Sequence, residues 1–403
     1  MVDSFIPHIR FKVCKNQWEK NKLSKLAKFN PKSTLPEKFK YVELESVLGT
    51  DLISYREVSR ENAPSRAQRL AQKGDIFYQT VRPYQKNNYL FDSNEKDYVF
   101  STGYAQLRPL IDSAFLLARL QEESFVNMVL ERCTGTSYPA INSKDLSKIS
   151  VTIPQTIEEQ SAIGSLFRTL DDLLSSYKDN LANYQSLKAT MLSKMFPKTG
   201  QTVPEIRLDG FEGEWEINKL NKYLTVSKKK NTQQKFGKED VLSVSGEVGI
   251  VNQIQFQGRS FAGVSVEMYS IVDTGNIVYT KSPLKANPYG IIKTNYGIPG
   301  IVSTLYAVYL PNENVFPGFV ERYFENDLRL NSYLKPLVNK GAKNDMKVSD
   351  ENALLGAVIF PQLEEQVAIS DYFTNLDKFI QSHKDKISQL ETLKKKLLQD
   401  MFI

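Results

Sequence analysis

The sequence is poor in the residues that most often carry chemistry in protein sites. It has two histidines, His8 and His383, and two cysteines, Cys14 and Cys133, among 403 residues. Two distant cysteines form no disulfide framework, and with two histidines they complete no zinc-ligand pattern. A Gly-rich phosphate loop ending in Lys and Ser or Thr is also missing. These absences predict a chain without catalysis, metal or cofactor of its own.

Long apolar runs are missing as well. No stretch of 18 apolar residues occurs, and the first residues, MVDSFIPHIRFKVCKNQW, lack a charged segment followed by an apolar one. We therefore expect no contact with a membrane and a reducing, cytoplasmic location. The net charge of +6 is compatible with nucleic acid as a partner, but it does not by itself indicate one.

The chain contains one unit of sequence twice. Residues 157–196 align without gaps to residues 363–402, and 16 of the 40 positions are identical. Upstream, IPHIRFKVCKNQWEKNKL from Ile6 aligns with VPEIRLDGFEGEWEINKL from Val203, so that the only two tryptophans correspond. GDIFYQTVRP aligns with GNIVYTKSP further along. A unit of this length is a duplicated domain rather than a solenoid repeat.

The end of each unit is predicted to be a long helix. From Ile163 to Tyr184 apolar residues recur with alternating spacings of four and three, and the second copy repeats the pattern from Ile369 to Leu390. This spacing is the seam of a helix that packs along another helix. His383 falls on this seam opposite its repeat mate Tyr177, where a polar residue that sets the register is expected. After Tyr184 the seam is predicted to continue at Leu187 and Met191.

The remainder of each unit is predicted to be a mixed domain. Short strand-like runs such as DIFYQTV, NIVYT and AVIF alternate with Gly, Asn and Pro turns and with a few amphipathic helices. The predicted fold class is α+β, with a first domain over residues 1–153, a long helix over 154–199, a second domain over 200–360 and a second long helix over 361–403. Because the second domain follows the first helix directly, the repeat also places the chain start, near Pro7, beside its end, near Phe402.

Several of these motifs resemble one known family. The openings PQTIEEQSAI and PQLEEQVAI, the K-x-x-L-L-x-x-MF type ending of the helices, and the segments IRLDGFEGEWE, GDIFYQTVRP and YTKSPLKANPYGII are similar to specificity subunits of type I restriction–modification systems. The resemblance covers nearly the whole chain. The first copy departs from it at KVCKNQWE, where the second has DGFEGEWE.

The resemblance implies a bipartite DNA reader that does no chemistry itself. Each mixed domain would be a target recognition domain that reads one half of an asymmetric site in double-stranded DNA. The two long helices would pair antiparallel, as a coiled coil with a pseudo-two-fold internal repeat, and would act as the spacer. Two methylation subunits would dock and methylate adenine with S-adenosylmethionine. Two restriction subunits, whose presence the sequence leaves open, would use ATP and Mg. The alternative is a coiled-coil assembly adaptor that does not read DNA.

Base reading requires Arg, Lys, Asn and Gln near base edges, with cations on phosphates. In the first domain the predicted DNA-binding residues form a loop, an arginine-rich group and a short segment after Gly135. The loop contains Gln79, Arg82, Tyr84, Gln85, Lys86, Asn87 and Asn88. The second group contains Arg56, Arg60, Arg66, Gln68 and Arg69, and the short segment contains Ser137 and Tyr138.

The predicted DNA-binding residues of the second domain form three groups. For every residue in both domains the alternative is a solvated loop charge. Asn287-Pro288-Tyr289 resembles the loop that holds adenine in amino-methyltransferases, but the second proline is missing and we favour a plain turn. The three groups are Lys228, Lys229, Lys230, Asn231, Gln233 and Gln234; Lys281, Lys285, Asn287 and Tyr289; and Lys343, Asn344 and Lys347.

Overall fold

A computed structural model describes residues 7–11, 16–340 and 346–402. The chain forms two compact units. Unit 1 consists of Met1–Asn180 with His383–Ile403, and unit 2 consists of Leu181–Ser382. Each unit therefore contains one mixed α and β region together with a part of both long helices. Among the described residues, no helix is long and apolar enough to cross a membrane.

The two long helices run from Ile157 to Lys194 and from Leu363 to Met401. Neither contains proline, so no residue interrupts the helical hydrogen bonds. At the start of the first helix the hydroxyl of Thr156 accepts the backbone N–H of Glu159 at 3.4 Å. Only this half of a capping box forms, because the Glu159 carboxylate binds other groups that are described below.

Within unit 1 the parts of the two helices lie side by side and antiparallel. Phe167 stacks on Phe402 with ring centroids 5.8 Å apart, and further along Lys178 pairs with Glu391 at 3.2 Å. Along these contacts the residue numbers rise in one helix and fall in the other, so the two helices are antiparallel. The ring of Tyr177 lies 5.4 Å from that of His383, as the seam predicted.

Unit 2 repeats the antiparallel pairing with the remaining parts of the helices. Phe196 stacks on Phe373 at 6.2 Å, and Lys188 pairs with Asp377 at 2.6 Å. Here one detail of the sequence prediction is wrong. Leu187 is exposed, and the neighbouring Lys188 takes the seam position because its ammonium group reaches two carboxylates.

Unit 1 contains two four-stranded sheets. Their buried faces carry alternating large apolar residues, and one pair of neighbouring strands in the first sheet, Lys38–Val42 and Tyr98–Ser101, is parallel. The first sheet has the order Arg56–Ser59, Lys38–Val42, Tyr98–Ser101, Ala67–Leu70, and the second has the order Ala27–Phe29, Tyr104–Pro109, Ile76–Gln79, Tyr89–Leu90. Two strand pairs complete the unit: Glu19–Lys22 with Ser150–Ile153, and Val47–Leu48 with Asp51–Leu52.

Unit 2 repeats this topology, but in one of its two sheets the central strands are paired less extensively. One four-stranded sheet has the order Leu224–Val226, Tyr306–Pro311, Ile277–Thr280, Ile292–Thr294. The counterpart of the other sheet consists of two antiparallel pairs, Gly249–Asn252 with Leu242–Ser245 and Gly300–Val302 with Ser270–Val272. A single parallel bridge between Val241 and Ile301 joins them. The other strand pairs are Glu216–Lys219 with Ala357–Phe360, and Asn339–Lys340 with Met346–Lys347.

Two consecutive helices cover the sheets in each unit. These helices pack into the core through Phe115 and Phe125 in unit 1, and through Phe319 and Leu334 in unit 2. These helices are Ser113–Gln121 and Glu123–Leu130 in unit 1, and Pro317–Phe324 and Asp327–Leu334 in unit 2. Shorter helices are Leu23–Leu26, Ser143–Ser147 and Gln253–Gln257. The α+β class predicted from the sequence is confirmed.

The start of the described chain lies beside its end. The backbone N–H of Ile9 donates to the carbonyl of Asp400 at 3.0 Å, and the Trp18 ring packs edge-on against Phe402. In unit 2 the equivalent bond joins the N–H of Ile206 to the carbonyl of Lys194, also at 3.0 Å. The adjacency of start and end predicted from the repeat is therefore confirmed.

Candidate nucleic-acid interface

The best-defined candidate surface begins at the loop that follows the buried strand Ile76–Gln79. Arg82 and Lys86 both adopt left-handed backbone angles, with φ of 54° and 57°, on either side of a 3₁₀ turn that starts at Pro83. Asn88 closes the loop because its side-chain oxygen accepts the backbone N–H of Gln79 at 2.8 Å. A loop with this internal bonding holds its outward side chains in fixed places.

Several predicted residues of this loop support it from inside. The buried Gln79 amide donates to the carbonyl of Val81 at 2.7 Å and to the side-chain oxygen of Gln85 at 2.9 Å. Asn88 is buried as well. The Asn87 side chain accepts the N–H of Gly49 at 2.8 Å. These side chains position the loop, whereas Arg82 and Tyr84 lie on its outer side.

The structure brings this loop together with the predicted segment after Gly135. The N–H of Arg82 donates to the carbonyl of Pro139 at 2.7 Å, and its guanidinium carbon lies 4.3 Å from the centroid of the Tyr138 ring. Tyr138 is 63% exposed, so the stacked pair faces solvent. Gly135 turns the chain towards the loop with φ of +87°, a conformation that favours glycine, and a Cβ there would lie 3.1 Å from the Tyr138 carbonyl oxygen. Ser137 is exposed next to the pair.

The arginine-rich group is spread over two edges of one sheet. Arg56 lies on one edge strand and pairs with Glu43 at 2.7 Å, while Gln68 and Arg69 lie on the opposite edge strand. Arg60 and Arg66 are exposed on the connection between these strands. Burial lowers the pKa of the Arg69 guanidinium below its usual value. The connection, rather than the strands, therefore presents the freest cations of this group.

The lysine-rich segment of unit 2 lies beside the strand that starts at Ser270. Lys230 donates to the Ser270 hydroxyl at 2.9 Å, and Lys229 pairs with Asp273 at 3.2 Å. Asn231 is buried and holds a turn through its side-chain bonds to the backbone of Phe236. Three further predicted residues are exposed: Lys228, Gln233 and Gln234.

The loop with Asn287, Pro288 and Tyr289 is a turn, as favoured from the sequence. The Asn287 carbonyl accepts the N–H groups of Leu284 and Gly290, each at 3.0 Å, and its side-chain amide donates to Asp327 at 2.8 Å. Gly290 is required here, because a Cβ at its φ of +91° would lie 1.9 Å from the Thr280 carbonyl oxygen. Lys285 is exposed on the same loop.

Lys281 has an acidic partner inside unit 2. Its ammonium group donates to Asp350 at 2.8 Å, and its side chain is 18% exposed. Lys343 and Asn344 lie outside the described residues, as does the side chain of Lys347, whose backbone ends the strand Met346–Lys347. The described part of unit 2 thus offers fewer free cations than the sequence predicted at these positions.

The EEQ motifs have a structural role that the sequence analysis did not assign. Arg10 binds the buried Glu159 through two contacts of 2.6 and 2.8 Å, and Trp18 donates to the same carboxylate at 3.1 Å. In unit 2, Arg207 binds Glu365 at 2.8 and 2.7 Å. These pairs fasten the start of each unit to the start of a long helix. The Ile-Arg dipeptide occurs upstream of each tryptophan, and this repetition is the feature of the sequence from which the ion pairs could have been predicted.

Comparison with known proteins finds relatives of the first part of the chain. Residues 15–183 match the family model described as "Type I restriction modification DNA specificity domain". Over 139 residues the chain is 30% identical to the Type I restriction enzyme HindI specificity subunit of Haemophilus influenzae; the match covers 33% of this chain and 30% of that protein.

Solved structures show the same fold over almost the whole chain. The S subunit of a type I restriction–modification system from M. genitalium aligns with a TM-score of 0.59 and 15% identity, covering 98% of this chain and 99% of that one. A chain from a study of complex assembly and conformational transition in a type I R-M system aligns with a TM-score of 0.51 and 17% identity, covering 95% and 96%.

Residues 15–183 are thus similar to the DNA specificity domain of type I restriction–modification systems. This is the family that the sequence motifs resemble, and the relative that matches over 139 residues is also one of its specificity subunits. The second unit lies largely outside the matched residues, and it is connected to the first by the internal repeat and by the fold.

Proposed function

We propose that this chain is the DNA specificity subunit of a type I restriction–modification complex and that each unit reads one half of a bipartite, asymmetric site. The observation that carries the proposal is the Arg82 and Tyr138 pair, since a cation and an exposed aromatic ring are joined within the matched specificity domain. Guanidinium groups bind guanine edges and phosphates through paired hydrogen bonds. The role of the long helices as a spacer stays a prediction.

In this proposal the chain directs chemistry that its partners perform. Double-stranded DNA, two methylation subunits and, where present, two restriction subunits are the partners. S-adenosylmethionine, ATP and Mg would be bound by those subunits and not by this chain. Among residues 7–11, 16–340 and 346–402 no cluster of three or more His, Cys, Asp or Glu side chains could hold a metal ion.

The test begins with the target sequence itself. Methylation-sensitive long-read sequencing of host DNA, with and without this chain, identifies the modified site. Fluorescence anisotropy of the chain with its methylation partner, on duplexes with and without that site, then measures specific binding. We expect tighter binding of the site-bearing duplex, by roughly a thousandfold or more at physiological salt.

Two variants make the binding experiment decisive. Arg82→Ala removes the stacked guanidinium, whereas Lys73→Ala removes an exposed cation before the start of the same strand, away from the loop that follows its end. We expect a loss of discrimination for the first variant and none for the second. Equal binding of all duplexes by the unmodified complex would contradict the proposal and favour an assembly adaptor.

A further inference from the structure

One connection of the first sheet is longer in unit 2 than in unit 1. In unit 1, seven residues, 60–66, join the strand Arg56–Ser59 to Ala67–Leu70. In unit 2 the equivalent strands, Gly249–Asn252 and Ser270–Val272, are joined by seventeen residues, 253–269. We call residues 253–269 the insertion segment. It occupies the topological position of the exposed arginines Arg60 and Arg66, which were predicted to bind DNA.

The insertion segment is held in a defined conformation. Asn252 caps a short helix, Gln253–Gln257, by accepting the N–H of Ile254 at 3.0 Å, and Gly258 ends it with φ of +77°. The side-chain oxygen of Gln253 then accepts the backbone N–H of Phe261 at 2.6 Å. The loop after the helix is therefore tied back to the helix start.

The insertion segment exposes an unusual number of large apolar side chains among its polar ones. Val264 is 97% exposed, and four other large apolar side chains of the segment are exposed with it. Contact with water is unfavourable for apolar groups, so an exposed cluster of them indicates a surface that binds another molecule. The five side chains are Ile254, Phe256, Phe261, Val264 and Met268.

Cations accompany this apolar surface. The guanidinium carbon of Arg259 lies 4.6 Å from the centroid of the Phe261 ring, and no described carboxylate forms an ion pair with it. The strand that follows the insertion segment lies beside the lysine-rich segment, since the N–H of Ile271 donates to the carbonyl of Lys229 and Lys230 forms an isolated β-bridge with Ser270. The stacked Arg259 and Phe261 have the same arrangement as Arg82 and Tyr138 of unit 1.

We infer that the insertion segment is a DNA-contacting element of unit 2, in which Arg259 reads a base edge and Phe261 holds its guanidinium flat. The inference rests on the proposed function. DNA fits this surface because its grooves offer thymine methyl groups and base steps to apolar side chains, and acceptor atoms to arginine. The planar guanidinium, already ordered on the ring, makes a two-bond contact that lysine does not reproduce.

The experiment selects binding sites from duplexes in which both half-sites are randomised, using the chain with its methylation partner. Arg259→Ala is expected to lose about tenfold to hundredfold in discrimination at one base pair of a single half-site. Phe261→Ala is expected to lose less at the same base pair. Arg259→Lys keeps the charge and is expected to resemble Arg259→Ala, whereas a mere phosphate contact would leave it like the unmodified chain.

Matched controls remove an equivalent group elsewhere in unit 2. Lys222→Ala removes an exposed cation and Leu328→Ala an exposed apolar side chain, and both are expected to select the unmodified site. Arg82→Ala is expected to change only the other half-site. Thermal melting of each variant, unchanged from the parent, shows that the differences do not arise from unfolding.

Three outcomes separate the inference from the proposed function. If the unmodified complex selects no sequence, the proposed function itself fails. If it selects a site and Arg259→Ala and Phe261→Ala select the same site with the same affinity, only the inference is overturned. If these variants keep their DNA site but lose copurification with the methylation partner, the surface binds protein and the inference is also overturned.

Discussion

Unit 1 and unit 2 place the same strands in the same order, but two connections between those strands differ in length. Residues 60–66 of unit 1 contain only a short 3₁₀ turn, whereas residues 253–269 of unit 2 form a capped helix and an exposed loop. Conversely, residues 43–55 of unit 1 contain a small strand pair, whereas residues 246–248 of unit 2 are a tight turn. Strand pairing and core packing constrain the sheets, while an edge connection is limited only by its two ends. A duplicated domain can therefore vary its exposed connections without changing how it folds.

A second comparison concerns the ion pairs that fasten each unit to its long helix. Glu159 accepts from both Arg10 and Trp18, whereas among the described residues Glu365 accepts from Arg207 alone. No described acceptor lies within hydrogen-bond reach of the Trp215 indole N–H. The repeat is thus exact in its ion pair and unequal in the hydrogen bond that supports it.

The largest expected effect tests whether the aromatic clusters around Phe196 and Phe402 contribute equally to stability. Phe196→Ala and Phe402→Ala are changes at equivalent positions of the repeat, and each removes a buried ring that stacks on a phenylalanine of the other long helix, Phe373 or Phe167 respectively. Each is expected to lower the free energy of unfolding by about 3–5 kcal/mol. Hydrogen exchange of the strands Ile76–Gln79 and Ile277–Thr280 reports on each unit separately. Leu393→Ala, at an exposed helix position, is the control and should change neither.

If one of the two phenylalanine variants cost much less than the other, the clusters would not be equivalent. The Arg329 side chain also lies over the Phe196 ring, at 4.5 Å, and Arg119 lies over Phe402 at 5.5 Å. Both clusters therefore include a cation at the ring, which supports the expectation of similar costs.

The next effect distinguishes the two ion pairs. Arg207→Ala leaves Glu365 buried without its partner and is expected to cost about 3 kcal/mol or more. Arg10→Ala is expected to cost about 1 kcal/mol less, because Glu159 still accepts the Trp18 N–H. Hydrogen exchange of the same two strands measures both. The double variant Arg10→Ala with Trp18→Phe should close the gap, and an unchanged gap would refute this explanation.

A smaller effect compares two predicted DNA contacts. Arg82→Ala is expected to weaken specific DNA binding by about 1–3 kcal/mol, as measured by anisotropy on the selected site. Lys281→Ala is expected to change it less, because Asp350 already neutralises Lys281. Asp350→Asn frees this cation and serves as the companion variant. A larger loss for Lys281→Ala than for Arg82→Ala would reverse the assignment.

The smallest effect is a difference in acid sensitivity. Burial raises the pKa of Glu325, but Arg322 and Lys188 outweigh it, so the pKa lies below its usual value of 4.5. This group stabilises unit 2 above pH 4.5, and the stabilisation is lost as the pH falls through the lowered pKa. For Asp171 the shift has the opposite direction: burial raises its pKa above the usual value of 3.8, although the positive charge of Lys394 acts to lower it.

The two tryptophans allow each unit to be measured separately in acid. Trp215→Phe leaves Trp18 as the reporter of unit 1, and Trp18→Phe leaves Trp215 as the reporter of unit 2. Denaturant unfolding between pH 5 and 3 should show that Glu325→Gln reduces the loss of stability in unit 2. Asp171→Asn should stabilise unit 1 at neutral pH. No change with either variant would show that these carboxylates do not govern the difference.

Local patterns explain why much of the fold was predictable. The alternation of apolar residues by three and four positions predicts a helix with a buried seam, and the structure buries Ile163 and Ile369 on it. The internal alignment predicted a second domain of the same kind, because similar sequences adopt similar folds. The family resemblance followed from the same repeated motifs.

The binding surface was less predictable because exposure depends on contacts between distant segments. Gln79, Asn88 and Asn231 have side chains suited to base edges, yet each is buried and bonded to a backbone group. Asn287 is also buried, and its side-chain amide donates to Asp327. Lys188 reached the seam for a similar reason, since its carboxylate partners come from elsewhere in unit 2.

The sequence by itself determined the duplication, the long helices and the family resemblance, since each depends on residues that are close together or on two copies of one segment. Only the tertiary structure joined Arg82 to Tyr138 and set the insertion segment at the position of Arg60 and Arg66. Strand order and loop docking place residues far apart in the chain beside one another. No spacing along a single sequence encodes that neighbourhood.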